Sequence, residues 1–339
     1  FLPAGPRGGL LGMLLAMVIW SVVCVATFLF ARLTQSQDYR TFFKNLLGPL
    51  WPIFEICYVL FVVLILSVFA AAAGEIAKAV FGLPPLFGAL MLMAAIAFFA
   101  TYGNESVERL FKYVSFFLYA TYAAFVVLAL THFGDRTLAA LAAPTPMDGW
   151  ALGGLTYASY NIIGAVVILP VVRHMTSNRD AVTAGILAGP LAMIPAFLFF
   201  ICMIAYYPEI KNQTLPSDFL LEKLNLPIFR IMFQLMIFAA LLESGTGSVH
   251  AINERISHAW HSRRQKRLGK IARLVISLVV LTVSIFMADR FGLITLIAKG
   301  YTLLAWVFLA VYVLPLLTYG VWRLRRGLRA APAVQAEGI

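Results

Sequence analysis

Apolar residues run through this chain in long stretches, over residues 10–32, 49–80, 84–102, 108–131, 151–172, 182–206, 226–256, 271–288 and 292–322. Each has about the 17–25 residues, or more, that an α-helix needs to cross a hydrocarbon core about 30 Å thick. The pattern predicts an all-α polytopic membrane protein with nine transmembrane helices, and an odd number places the two chain ends on opposite faces. The connections between stretches are short and hold no soluble domain. Residues 34–44 read as a polar connection, with the next helix starting at Gly48-Pro49, and Phe81-Gly82-Leu83-Pro84-Pro85 as a tight turn. Residues 132–150 and 207–227 read as longer loops. In the second, Pro216-Ser217-Asp218 can cap a short helix reaching Lys223, with Leu220, Leu221 and Leu224 along one side. Such a helix can act as a lid or simply pack as a loop. The chain is expected to form one transmembrane domain over 1–329, followed by a disordered tail at 330–339 rich in small residues.

Composition strengthens the membrane reading. At 62% hydrophobic and 12% charged residues, a soluble fold would expose far too much apolar surface. Charge then orients the chain. When successive connections are assigned to alternate faces, 18 of the 26 Lys and Arg fall on one face and 5 on the other. Lys78, Arg230 and Lys299 lie inside the stretches. Lys and Arg are retained on the cytoplasmic face, so the C-terminus is expected inside and Phe1 outside. The same rule accounts for the net charge of +11, including the basic run at 263–270, without nucleic acid. Residues 1–9 carry no signal-peptide pattern and the chain begins with Phe, so a fragment lacking a first transmembrane helix is expected. Cys24, Cys57 and Cys202 stand singly in apolar stretches, which argues for packing and against a disulfide framework or metal cluster. The pair His258 and His261 has metal-like spacing but no further ligands nearby, and reads as a helix end.

Polar residues at membrane depth are the functional candidates, because each is costly unless paired or facing water. The densest set is Tyr157, Ser159, Tyr160 and Asn161, followed by Gly164 and Pro170. Pro170 removes a backbone donor and disfavours the α region at Leu169. A discontinuous helix is predicted there, of the kind whose freed backbone groups bind substrate or ions in transporters. A proline kink with Ser and Asn bonding locally is the alternative. The second set is Glu243, Ser244, Gly245, Thr246, Gly247 and Ser248. Glu243 lies about 25 Å into its helix, a depth that argues for a partner or a proton. The hydroxyls of Ser244 and Thr246 can coordinate a cation such as Na⁺, while the glycines permit close helix approach. Asn253-Glu254-Arg255, at the cytoplasmic end, reads as a structural ion pair or a gate. Glu75 and Lys78 are spaced to pair with each other. Lys299-Gly300 interrupts the last stretch, where Lys299 can snorkel outward or close an external gate. Glu55 reads as interfacial. Trp20, Tyr58, Tyr301 and Trp306 are packing positions by default, with Tyr58 kept as a further candidate for the solute site.

Phe81-Gly-Leu-Pro84, Tyr157-x-x-Tyr160-Asn161, Asn253-Glu254-Arg255 and Ile297-Ala-Lys-Gly-Tyr301, in that order, resemble the YkvI-like group of bacterial membrane proteins. That group is similar to the amino acid–polyamine–organocation superfamily with its LeuT-like fold. The resemblance implies ten core helices in two inverted five-helix repeats (5+5), the nine stretches here being the second to tenth. It also implies a location in the bacterial inner membrane. The broken segment at Tyr160-Asn161-Gly164 would be the sixth helix, facing a broken first helix across the solute site. Glu243 departs from the small hydroxyl residue expected near its position, which favours a proton or a cationic substrate over a plain Na⁺ site. Lys112 can stand in for a coupling cation, as a Lys does in some relatives.

These readings converge on a secondary transporter of a small polar solute, an amino acid or amine, coupled to Na⁺ or H⁺ by alternating access. Tyr157, Tyr160, Asn161, Gly164 and Tyr58 are its solute-binding candidates. Glu243, Ser244, Thr246 and Lys112 are its coupling candidates, and Lys299, Glu254 and Arg255 its gates. Its partners are the lipid bilayer and the solute, together with further copies of itself in a homo-oligomer. No cofactor beyond the coupling ion is expected. The alternative is a nutrient-sensing receptor subunit that binds without transporting. No metal set, Ser/His/Asp constellation or phosphate-cradling Gly loop supports an enzyme.

Overall fold

The computed structural model describes residues 1–102, 105–264 and 269–326, without the side chains of 105–111, 258, 259 and 261–264. The tail at 330–339, the centre of the basic run at 263–270 and the side chains of His258 and His261 therefore lie outside the described residues. Every regular element among the described residues is helical: α1 (Gly5–Leu33), α2 (Tyr39–Leu47), α3 (Trp51–Phe81), α4 (Pro85–Tyr102), α5 (Glu105–Ala142), α6 (Trp150–Asn161), α7 (Gly164–Val167), α8 (Asn178–Ile204), α9 (Pro216–Leu224), α10 (Pro227–Arg264), α11 (Lys270–Thr295) and α12 (Thr302–Phe308). Among them, 7 runs are long and apolar enough to cross a membrane. The chain is an all-α polytopic membrane protein.

Seven differs from nine in two places. The stretch at 151–172 forms the 12-residue α6, a single turn of α7 and a 3₁₀ segment, none of which has spanning length. The stretches at 271–288 and 292–322 are joined in one helical run, Lys270–Arg326. Gly292 interrupts that run at φ 70° and ψ 165°, a conformation essentially restricted to glycine. Beyond it, Leu296–Tyr301, Leu309–Val313 and Leu316–Gly320 adopt the wider π-helical winding.

Two connections are more structured than their polarity suggested. Residues 34–44 contain most of α2, started by Asp38, which accepts hydrogen bonds from Thr41 N at 2.9 Å and Thr41 Oγ1 at 2.7 Å. Its Phe42, Phe43 and Leu46 are buried, so packing on one face fixes a helix whose other face is polar. The expected loop at 132–150 shortens, because α5 continues to Ala142. Arg7 closes that helix by donating to Leu141 O at 2.7 Å and Ala142 O at 3.0 Å, a cation at the negative end of a helix dipole. The short helix expected after Pro216 is α9, with Leu220, Leu221 and Leu224 buried. Asp218 does not cap it. Proline occupies the first turn, and the Asp218 side chain turns instead to α10.

The described residues fall into two compact units. The first contains residues 1–58, 140–204 and 301 onward. In it α1 packs along α6 and α8, and glycines set the spacing. A Cβ on Gly154 would stand 2.5 Å from Gly12 O, and one on Gly189 2.4 Å from Met17 O. Without side chains there, backbones approach as closely as small-residue motifs allow in lipid. Ser21 Oγ donates to Ile186 O at 2.9 Å across the same seam. An aromatic core joins α2, the start of α3 and the last helical run. Phe43 stacks on Phe54 with ring centroids 3.4 Å apart, Tyr312 meets Phe43 edge-on at 5.4 Å, and the Tyr312 hydroxyl shares a 2.6 Å hydrogen bond with Thr27.

The second unit contains residues 59–139 and 205–300, with α4 packed on α10 and α11. Polar links tie α10 to α11 at one end: Asn253 Nδ2 donates to Ser277 Oγ at 2.9 Å, and Glu254 pairs with Arg273 at 2.7 Å.

Candidate functional site

The first unit carries the broken segment. Through Asn161 the backbone follows α-helical spacing, and Ile162 N still donates to Ala158 O at 2.9 Å. The pattern then tightens: Ala165 N donates to Ile162 O and Val166 N to Ile163 O, both at 3.0 Å. In a continuous helix Ala165 N would bond Asn161 O, so this carbonyl is released from the ladder. Pro170 keeps α7 from propagating, and the chain passes into the 3₁₀ segment Leu169–His174. The break predicted from Gly164 and Pro170 is present. The C-terminal end of α6 therefore stops short, carrying the partial negative charge of a helix C-terminus.

The polar side chains on α6 bond locally, as the kink alternative holds. Ser159 Oγ donates to Leu155 O at 2.7 Å, Thr156 Oγ1 to Leu152 O at 2.8 Å and Asn161 Nδ2 to Tyr157 O at 3.0 Å. What remains is aromatic. Tyr157 and Tyr160 meet edge-on at 5.6 Å, Tyr160 stacks on Tyr301 at 4.6 Å, and Phe1 lies against Tyr157 at 4.8 Å. Tyr157, Tyr160, Asn161, Gly164 and Tyr301 are all half-buried. Tyr157, Tyr160 and Tyr301 thus cluster at the end of α6, and aromatic rings and a helix C-terminus each attract a cationic amino group. Tyr301 was read from sequence as a packing residue. Its place at the end of the Ile297–Tyr301 motif was the one signal, and only the fold shows that it reaches Tyr160.

Tyr58 has ring contacts in the aromatic core. It stacks on Tyr39 at 6.5 Å and lies 6.3 Å from Phe54, next to a hydrogen bond from the Tyr39 hydroxyl to Glu55 at 3.1 Å. It belongs to the aromatic core.

The remaining candidates lie in the second unit. On α10, Glu243 is half-buried and has no hydrogen bond or ion pair among the described residues. Ser244 is exposed whereas Thr246 is buried, with its Oγ1 lacking a partner. Residues two apart on a helix do not face each other, so these hydroxyls do not converge on one cation. Thr246 shares a face with Glu243 instead. Gly245 faces the tip of Ile96, where a Cβ would come within 2.4 Å, but Gly247 meets open space. Lys112 and Lys299 are exposed, and Lys299 stands within the π-helical turn. Glu254 is engaged by Arg273, and Arg255 is half-buried beside it. Glu75 and Lys78 form no ion pair; Glu75 lines a cavity of about 220 Å³ with Asp289 and Gly292. Among the described residues no three His, Cys, Asp or Glu side chains cluster as metal ligands do.

One buried polar set escaped the sequence reading. Asp218 accepts from Arg230 Nε at 2.7 Å, Arg230 Nη2 at 2.5 Å and Gln234 Nε2 at 2.9 Å. The spacing of Arg230 and Gln234, one turn apart near the start of an apolar stretch, was the available signal. Comparisons with protein-family models and with curated proteins returned no match.

Proposed function

We propose that this membrane protein is a secondary transporter of a small solute bearing an amino group, an amino acid or amine, working by alternating access with H⁺ or Na⁺ as coupling ion. The observation that carries the reading is the interrupted α6–α7 segment with Tyr157, Tyr160 and Tyr301 clustered at its break. A helix that stops within the membrane-spanning part of a protein leaves backbone groups that must meet protein or water, and such ends are where transporters bind solutes. In this reading Tyr160 and Tyr301 hold the ammonium against their faces, and Asn161 O accepts one of its hydrogens. Glu243, at depth and without an ion-pair partner among the described residues, is the coupling candidate. The 5+5 inverted repeat and the kinship with YkvI-like proteins belong to the same proposal.

The test is uptake of radiolabelled amino acids and amines into vesicles reconstituted with the full-length protein. Tyr160→Leu is expected to cut uptake and solute binding by about tenfold, worth about 1.4 kcal/mol, and Glu243→Gln to abolish dependence on the ion gradient. If both variants bind and transport as the parent does, the site assignment fails. Binding without flux would move the protein to the sensing class.

A further inference from the structure

In the second unit, two cavities meet where α3 ends and α10 begins. The first, about 220 Å³, has a mixed wall in which Glu222, Asn225 and Arg230 stand beside Ala79, Leu221 and Pro227. The second, about 340 Å³, is lined by Ala73, Ala77, Phe87, Met91, Leu235 and Phe238 among others. Val80 and Ile231 stand in the walls of both, so the mixed and the apolar cavity adjoin along one crevice. Phe87, Met91, Ile231 and Leu235 on its rim are exposed.

The depth of the crevice matches a bilayer leaflet. The mixed cavity lies at the helix ends, by Val80 on α3 and Pro227 on α10. From Pro227 to Phe238, at the far end of the apolar cavity, α10 descends about 16 Å. Half of a hydrocarbon core of about 30 Å is about 15 Å. With Pro227 at the membrane surface, the mixed cavity would sit at headgroup level and the apolar one would reach mid-bilayer.

Charge narrows the headgroup. Arg230 spends Nε and Nη2 on Asp218, leaving the two N–H groups of Nη1 without a partner among the described residues. Glu222 Oε2 stands 3.9 Å from Arg230 Nη2, with its side chain 67% exposed. Arg230, Asp218 and Glu222 together carry one negative charge. A purely anionic head would face that excess, whereas a head with both phosphate and ammonium finds a donor in Arg230 and an acceptor in Glu222.

We propose that this crevice holds one phospholipid of the surrounding bilayer, its acyl chain in the apolar cavity and a zwitterionic, ammonium-bearing phosphodiester head at Arg230, Glu222 and Asn225. The test is native mass spectrometry of the full-length protein in mild detergent, offered phosphatidylethanolamine or phosphatidylglycerol of matched chains. One phosphatidylethanolamine per chain is expected, retained about fivefold over phosphatidylglycerol, a difference of about 1 kcal/mol. Glu222→Gln should erase that preference, and Ile231→Trp, at the junction of the cavities, should lower retention about tenfold. Equal retention of the two lipids by the parent protein, or undiminished retention by folded Ile231→Trp, overturns the proposal. Should that variant unfold, dihexanoyl- and dioleoyl-phosphatidylethanolamine are compared on the parent. Stronger retention of the long-chain lipid supports the proposal, and equal retention overturns it. Competition by tail-free glycerophosphoethanolamine as effective as by the intact lipid also overturns it.

Discussion

Arg230 shows what single side chains settle here. A guanidinium one turn inside an apolar helix is costly unless neutralised, and Asp218 neutralises it with two hydrogen bonds while Gln234 adds a third to the carboxylate. Removing one member leaves the other charge poorly paired, a loss of about 3–5 kcal/mol for a fully buried pair. The Arg230 side chain is 27% exposed, so about 2 kcal/mol is expected for Asp218→Ala, while Asp218→Ala with Arg230→Met should recover part of it. Thermal unfolding in detergent measures both, and additive losses would refute the coupling. At this scale the sequence showed only that Arg230 lies inside an apolar stretch. It could not tell the partner, because Asp218 beside Pro216 and Ser217 carries the local signature of a helix cap. Tyr301 was hidden for a similar reason: an aromatic in an apolar run looks like packing until the fold brings it 4.6 Å from Tyr160.

Among elements, legibility followed how local the cause is. The break after Asn161 was readable because Gly164 and Pro170 act on their own backbone. The helix α2 was not, because its stability comes from burying Phe42, Phe43 and Leu46 against distant rings. Glycine roles divide in the same way. Gly189 on α8 has backbone of α1 within 2.4 Å of a would-be Cβ, whereas Gly247 on α10 faces open space. Gly189→Ala should therefore part the α1–α8 seam and cost about 1–3 kcal/mol. Gly247→Ala should be neutral or stabilising, since alanine is the better helix former by about 1 kcal/mol. Matching unfolding midpoints for the two variants would contradict the packing described.

For the whole molecule, orientation is the open quantity that charge predicts. Leu83 and Met147, 37% and 44% exposed, stand in connections assigned to the outer face, and the exposed Arg179 in one assigned to the cytoplasm. Cys24, Cys57 and Cys202 are buried, so added cysteines are read against a quiet background. In right-side-out vesicles Leu83→Cys and Met147→Cys should react with a membrane-impermeant maleimide, and Arg179→Cys only after permeabilisation. The reverse pattern would invert the chain, and labelling of Met147→Cys and Arg179→Cys from the same side would show that residues 150–174 do not cross. The apolar stretches and the helical runs agree on the apolar mass and differ in how it is divided, since α6 has only twelve residues and Lys270–Arg326 continues through Gly292. A straight helix over Lys270–Arg326 would measure about 85 Å, nearly three times the hydrocarbon core. Gly292 interrupts that length with a torsion pair closed to other residues, so the run is not one straight rod. Any side chain there would set the cost of a misplaced β-carbon against the insertion of everything that follows it.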